Sequence, residues 1–272
     1  MAMNEFYKKE TEERSAPVFT VGVIGLGNMG RAITEGIAAN ENFSGQLIIC
    51  NRTKEQTLLK FDENIFPRVR IAEDNAEVAK QSHVLFVSLK QAQMQEELTR
   101  WRECGQVNKD SLLVSFAAGI TIDTIKKWIG NKKQAVARVM PNTPAAVGEG
   151  VYGWAVSDEV TKGQMTQLKK LLGGIGTEIY VERESDIDIV TALSGSGPAY
   201  FYLQAEKMIE TAVAMGLSKE QAEMAGRKTL IGAAALLAAH PEVSLSTLRQ
   251  NITSKGGTTE AALKSFLANG LD

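Results

Sequence analysis

Six residues near the start of the chain, G-L-G-N-M-G from Gly25 to Gly30, have the types and spacing to hold a pyrophosphate with backbone alone. A β-branched apolar run, Val18 to Ile24, leads directly into them, and helix-like sequence, Met29 to Ala39, follows. In that setting Gly25 permits a tight turn, Gly27 lets backbone approach the pyrophosphate, and Gly30 lets helix and strand touch. The free N–H groups and dipole of the helix's first turn attract the phosphate charge. Asn28 and Met29, between the glycines, join the same binding set. The strand before and the helix after make this a dinucleotide fingerprint rather than a chance spacing of glycines.

The end of the second apolar run, Gln46 to Cys50, chooses between the two nicotinamide cofactors. A carboxylate there would bond the ribose 2′-hydroxyl and repel a 2′-phosphate. This chain has Asn51-Arg52-Thr53. Arg52 supplies a planar cation, and Asn51 and Thr53 supply neutral donors. NADPH is therefore the expected cofactor, with NADH a weaker alternative. A third run, Val84 to Ser88, leads to Lys90 on the edge where parallel sheets bind ligands. A fourth, Leu112 to Phe116, ends in Ala117-Ala118-Gly119, small enough to leave room for a flat nicotinamide ring. Asn75, in D-N-A-E, is either a cofactor contact or a helix cap.

These residues need a scaffold that brings strand ends together. Ala135 to Val139 is a fifth short apolar run, and Val151 to Val156 and Glu178 to Val181 read as extra strands. Apolar strands alternating with helical stretches predict an α/β fold, a Rossmann-type doubly wound parallel sheet, over residues 18–182. Residues 1–17 are polar and without period and are expected to form a flexible tail. From 183 to 272 the texture is all helical. Ala199 to Met215 is followed by Gly216 as a stop, and Ser218 with Gln221 forms a capping box that opens a helix to Ala239. Within it, I-G-A-A-A-L-L-A-A (Ile231 to Ala239) is apolar nearly all round. Such a helix must be buried, and packing against a second copy of the chain is the expected means, so the second half is a dimerisation domain. Shorter helices are expected at Leu245 to Asn251 and Thr259 to Ala268.

Composition narrows the remaining classes. With 30 Lys and Arg against 32 Asp and Glu, the formal net charge is −2, which argues against nucleic acid or an anionic membrane as partner. Two cysteines, Cys50 and Cys104, and two histidines, His83 and His240, leave little for a metal centre, and none is expected. No apolar run reaches the roughly 18 residues of a membrane span, and a cytoplasmic protein with reduced thiols is expected.

Several blocks together resemble one family, the pyrroline-5-carboxylate reductases. They are G-L-G-N-M-G, S-F-A-A-G-I-T-I at Ser115 to Ile122, R-V-M-P-N-T-P at Arg138 to Pro144, and A-V-G-E-G at Ala146 to Gly150. L-S-G-S-G-P-A-Y at Leu193 to Tyr200 and S-K-G-G-T-T at Ser254 to Thr259 follow in the family's order. The resemblance implies that NADPH delivers hydride to the imine carbon of 1-pyrroline-5-carboxylate, giving L-proline, in a homodimer or larger homo-oligomer. It implies that Met140, Pro141 and Asn142 lie at the cofactor, and that Thr259 puts its hydroxyl near the imine nitrogen. The substrate's carboxylate then needs donors. Gly256 and Gly257 precede a helix, so their N–H groups are expected to take it, with hydroxyl contacts from Ser254 and Thr258. N-capping is the other use of such residues.

Two positions depart from the family's pattern, Lys255 and Gln91, each where proline is usual. They leave two alternatives open at this point: a related NADP-dependent imine or keto-acid reductase, and a non-catalytic nucleotide-binding paralogue.

Overall fold

The structure is a computed structural model that describes residues 19–52 and 68–270. The expected tail, residues 1–17, lies outside them. The chain divides after Pro198 into two compact units.

The first unit is built on one eight-stranded sheet. Its strands are β1 (Thr20–Ile24), β2 (Gln46–Cys50), β3 (Val69–Ile71), β4 (Val84–Val87), β5 (Leu112–Ser115), β6 (Ala135–Pro141), β7 (Gly150–Val156) and β8 (Gly176–Tyr180). Their order is β3-β2-β1-β4-β5-β6-β7-β8. The chain winds outward from β1 to β3, then returns to start again at β4 beside β1. That reversal opens a crevice at the carboxyl ends of β1 and β4, the usual ligand position in such sheets. Pairing is parallel throughout except for β6 with β7, which is antiparallel. The all-parallel expectation fails there because the connection between them, a tight turn at Thr143–Val147, is too short for a crossover.

The central strands β1, β4 and β5 are buried at every position because both faces are covered. Val21, Val23, Leu47, Ile49 and Phe86 enter one core cluster, whereas Ile24, Ile48, Leu85 and Val87 enter the other. Helices α1 (Asn28–Ala39) and α5 (Lys162–Gly173) close the first through Ile33, Ile37, Leu168 and Leu172. Helices α2 (Asn75–Gln81), α3 (Gln91–Cys104) and α4 (Ile122–Ile129) close the second through Val78, Met94, Leu98, Trp101 and Ile125. Strand β3 escaped sequence reading because it is three residues long, half-buried, and interrupted by Arg70.

The compact unit that holds the sheet runs to Pro198, so residues 183–198 pack with the sheet. The reason is an ion network. Arg138, on β6 and 6% exposed, reaches Glu184 at 3.4 Å and Asp188 at 3.1 Å. Glu184 also accepts from the amide of Ile122 at 2.8 Å. A buried guanidinium without these carboxylates would be strongly unfavourable, so the segment is tied to the strand.

The second unit is helical, as expected. It holds most of α6 (Gly197–Ala214), then α7 (Lys219–Ala239), α8 (Leu245–Asn251) and α9 (Thr258–Ala268). Gly216 ends the first at a φ of 112°, and the Ser218–Gln221 capping box opens the second. Within one chain the apolar stretch of α7 is not buried: Ile231 is 60% exposed and Leu236 50%. Tyr200, Phe201, Tyr202, Met224 and Phe266 are exposed as well. No helix among the described residues is long and apolar enough to cross a membrane.

One buried group yields a test. Tyr152 on β7 is fully buried, its hydroxyl bonds no described protein atom, and burial pushes its pKa up to about 12. The unfolded phenol ionises near pH 10 while the folded one stays neutral. Stability therefore falls by about 1.4 kcal/mol per pH unit between roughly pH 10 and 12. Tyr152→Phe should remove that loss and leave stability at pH 7 unchanged or raised by up to about 1 kcal/mol. Urea denaturation of both proteins at neutral and alkaline pH checks it.

Candidate active site

The glycine loop sits where the sheet reverses. The Gly25 amide donates to the Cys50 carbonyl at 3.0 Å, and the Ser88 amide to the Ile24 carbonyl at 2.8 Å, so the loop is tied to the ends of β2 and β4. Gly25 has a φ of 86°, and a Cβ there would lie 2.5 Å from the Ser88 carbonyl oxygen. A Cβ on Gly30 would collide with the Gly25 carbonyl oxygen. Gly27 differs. Its φ is ordinary and a Cβ would meet no protein atom within 4 Å. Its bareness therefore serves whatever approaches the start of α1, not the packing of the chain.

Helix starts separate into two kinds. Helices α2, α4, α5, α7 and α8 begin under a side-chain cap from Asp74, Thr121, Thr161, Ser218 and Ser244. Helices α1, α3 and α9 begin at Gly27, Lys90 and Gly257 with no side-chain cap. An uncapped first turn keeps its N–H groups and its partial positive charge for a ligand. None of these three has an acidic residue in its first turn except α9, with Glu260.

A cleft of about 550 Å³ lies over the carboxyl ends of β1, β2 and β4. Gly25, Gly27, Asn51, Arg52, Asn75 and Lys90, all named from the sequence, line it together. Asn51 holds the loop itself, its Oδ1 accepting from the Leu26 amide at 3.4 Å. Asn75 is not the cap of α2. Asp74 is, accepting from the Glu77 amide at 2.7 Å, which leaves Asn75 as the first helical residue facing the cleft. Thr53 lies outside the described residues. Asn28 is exposed beside the cleft, whereas Met29 leans on the core under α1. Glu73, Gln93 and Arg100 line the cleft without having been named from sequence. Only the tertiary pairing of β2 with β3 brings the first of them there.

Ala118 and Gly119 form an exposed ledge after β5, with Gly119 at a φ of 72° and open space where a Cβ would be. Ala117 is buried, its amide donating to the Ser115 hydroxyl at 3.2 Å. Met140 and Pro141 end β6. Asn142 is 7% exposed, and its side chain serves as a strut: Nδ2 donates to the Ser194 carbonyl at 3.1 Å and Oδ1 accepts from the Val151 amide at 2.9 Å. It clamps the β6–β7 turn to a wide turn at Thr191–Gly195, closed by the Ser196 amide on the Thr191 carbonyl.

In the helical unit, S-K-G-G-T-T forms the turn into α9. Gly256 has a φ of 72° and Gly257 is the residue before the helix. Both glycine amides have acceptors within the chain. The Gly257 amide donates to the Ser254 carbonyl at 3.0 Å, and the Gly256 amide to Glu260 Oε2 at 2.8 Å. That bond, together with Lys264, holds the Glu260 carboxyl below the usual carboxylate range. The donors without an intrahelical acceptor are the amides of Thr258, Thr259 and Glu260 in the first turn of α9.

A doubly wound sheet, a bare helix terminus behind a three-glycine loop, and an arginine where an acid would exclude a 2′-phosphate define a nicotinamide-dependent oxidoreductase. A model described as pyrroline-5-carboxylate reductase dimerisation matches residues 184–272, and one described as NADP oxidoreductase coenzyme F420-dependent matches residues 20–119. The pyrroline-5-carboxylate reductase of Vibrio alginolyticus is 37% identical over 246 residues, covering 90% of this chain and 88% of that one. A solved pyrroline-5-carboxylate reductase from Coxiella burnetii is 35% identical with a TM-score of 0.81, covering 94% of this chain and 92% of that one. A Plasmodium falciparum pyrroline carboxylate reductase solved with NADP bound matches at 26% identity and a TM-score of 0.75, covering 94% and 92%. The chain belongs to the pyrroline-5-carboxylate reductase family. It is an NAD(P)H-dependent oxidoreductase acting on CH–NH groups, and its helical half makes it a homo-oligomer.

Two glycines give contrasting tests. Gly30→Ala should cost about 1–3 kcal/mol of stability, because the methyl group has nowhere to go. Gly27→Ala should leave stability within about 0.5 kcal/mol yet weaken NADPH binding about tenfold or more, since its methyl group intrudes only on a ligand. Chemical denaturation and fluorescence titration with NADPH separate the two.

Proposed function

We propose that this member of the family takes NADPH in preference to NADH, and that Thr259 and the loop before it carry the substrate. The reaction is the reduction of 1-pyrroline-5-carboxylate to L-proline with NAD(P)H. The observation that carries the cofactor reading is Asn51-Arg52 at the end of β2, where no carboxylate stands to repel a 2′-phosphate.

The residues present fit a dinucleotide. The first-turn amides of α1, behind bare Gly27, take the pyrophosphate. Arg52 takes the 2′-phosphate, Lys90 adds a second cation in the same cleft, and Asn75 adds a neutral contact. The ledge Ala117-Ala118-Gly119, with Met140 and Pro141, leaves a flat surface for the nicotinamide, while Asn142 holds that side of the cleft in shape. When bound, NADPH supplies the hydride for the imine carbon.

The chain's own residues do the rest. The first-turn amides of α9, with the hydroxyls of Ser254 and Thr258, hold the substrate's carboxylate and so fix the ring. Thr259 offers its hydroxyl to the imine nitrogen, polarising C=N where charge changes most in the transition state. The chain works in the cytoplasm, a reading supported by a sequence that holds only two cysteines, too few for a disulfide framework.

Absorbance of NADPH during turnover of 1-pyrroline-5-carboxylate, with NADH in parallel, tests both parts. NADPH should be preferred, and Arg52→Ala should cut kcat/KM for NADPH about tenfold to a hundredfold while barely changing that for NADH. A wild-type preference for NADH would overturn the cofactor reading. Thr259→Ala should lower kcat about 10- to 1000-fold with NADPH binding intact. Unchanged turnover would remove Thr259 from the chemistry.

A further inference from the structure

We propose that Glu260 is a positioning residue of the substrate loop, holding the Gly256 amide so that the first-turn amides of α9 stay aimed at the substrate's carboxylate. This rests on reading S-K-G-G-T-T as the carboxylate site.

The loop has little else to hold it. Gly256 is in the left-handed region and no protein atom lies within 4 Å of where its Cβ would be. Two bonds close the turn, Gly257 N–H to the Ser254 carbonyl and Gly256 N–H to Glu260 Oε2. The second is the one side-chain bond described between the loop and the body of α9, beside the helix's own bond from the Ala261 amide to the Gly257 carbonyl at 3.2 Å. Two consecutive glycines have more backbone freedom than any other pair, so a loop held by one bond would sample many arrangements. Each of these would have to be given up again when the substrate binds.

A carboxylate beside an anion site also carries a like-charge cost, and its surroundings reduce that cost. Glu260 Oε1 faces Lys264 Nζ at 3.4 Å, one helical turn on. Glu before Lys at this spacing is the favourable order on a helix. The Glu260 charge is thus shared between the Gly256 amide and Lys264, and the three amides of Thr258, Thr259 and Glu260 are left for the ligand.

The role requires an acceptor at Glu260, not a charge, and the choice of variants follows from that. With 1-pyrroline-5-carboxylate varied at saturating NADPH, Glu260→Ala should raise KM about tenfold while kcat stays within about twofold. Glu260→Gln keeps a carbonyl oxygen for the Gly256 amide and should restore KM to within about twofold of wild type. Glu260 is half-buried, and the KM for NADPH and the oligomer size by light scattering should be unchanged in either variant. An unaltered KM in Glu260→Ala would overturn the proposal. A KM lowered in both variants would overturn it too, and would assign Glu260 to repulsion of the substrate. Thr259→Ala run alongside separates the two levels. If it loses turnover while Glu260→Ala behaves as wild type, the role of Glu260 fails alone. If both behave as wild type, the loop is not the substrate's site.

Discussion

The Rossmann unit depends on one close approach, the start of α1 against the turn that ends β1. Gly30 rests on the carbonyl oxygen of Gly25 with no room for a side chain between them. Gly25 in turn takes a positive φ so that its carbonyl can lie there and its amide can reach the end of β2. This contact lets the helix point its first turn at the crevice between β1 and β4. Relaxing it by one methyl group would tilt the helix and move its first-turn amides. The other features of the cleft are arranged around that terminus: Asn51 bonds the loop from β2, and Lys90 begins the next uncapped helix from β4.

A second constraint governs how the sheet unit ends. Arg138 is buried on β6, and two carboxylates from 184 and 188 are brought to it. Asn142, a turn further on, clamps Ser194. Together they fasten the segment leading out of the sheet unit to the strand that ends at Met140 and Pro141. A charge that cannot stay unpaired is an effective anchor, because the penalty for losing one partner far exceeds what the pair adds over an apolar contact. Helix capping follows a similar economy. Ser, Thr and Asp cap five of the helices, and glycine or lysine stands at the start of the three without a side-chain cap.

Much of this architecture was legible in the chain. Strands β2, β4, β5 and β6 are dense apolar runs because both faces of the sheet are covered, and such runs stand out against the amphipathic helices between them. The Ser218 cap shows why short-range motifs are reliable: donor and acceptor are three residues apart, and little else competes. Strand β3 was not legible, since three half-buried residues carry no period. The packing of residues 183–198 on the sheet was not legible either, because they are helical in texture and their partners lie some fifty positions earlier. In the site, the residue types of the cleft could be named, but Asn142 and Asn51 could not be recognised as struts, since their partners come from other elements.

The sequence by itself determined the alternation of strand and helix, the three roles of the nucleotide-loop glycines, the absence of an acid after β2, and the exposed apolar helix that needs a second copy. All of these are properties of neighbours within a few residues or of composition along one face. Only the tertiary structure decided which amides are free. Gly256 and Gly257 look available in the sequence, but Glu260 and Ser254 take them in the folded chain. The donors pass to Thr258, Thr259 and Glu260. The physical reason is that a backbone N–H will donate to any well-placed oxygen, and which oxygen arrives is set by the path of the chain in space.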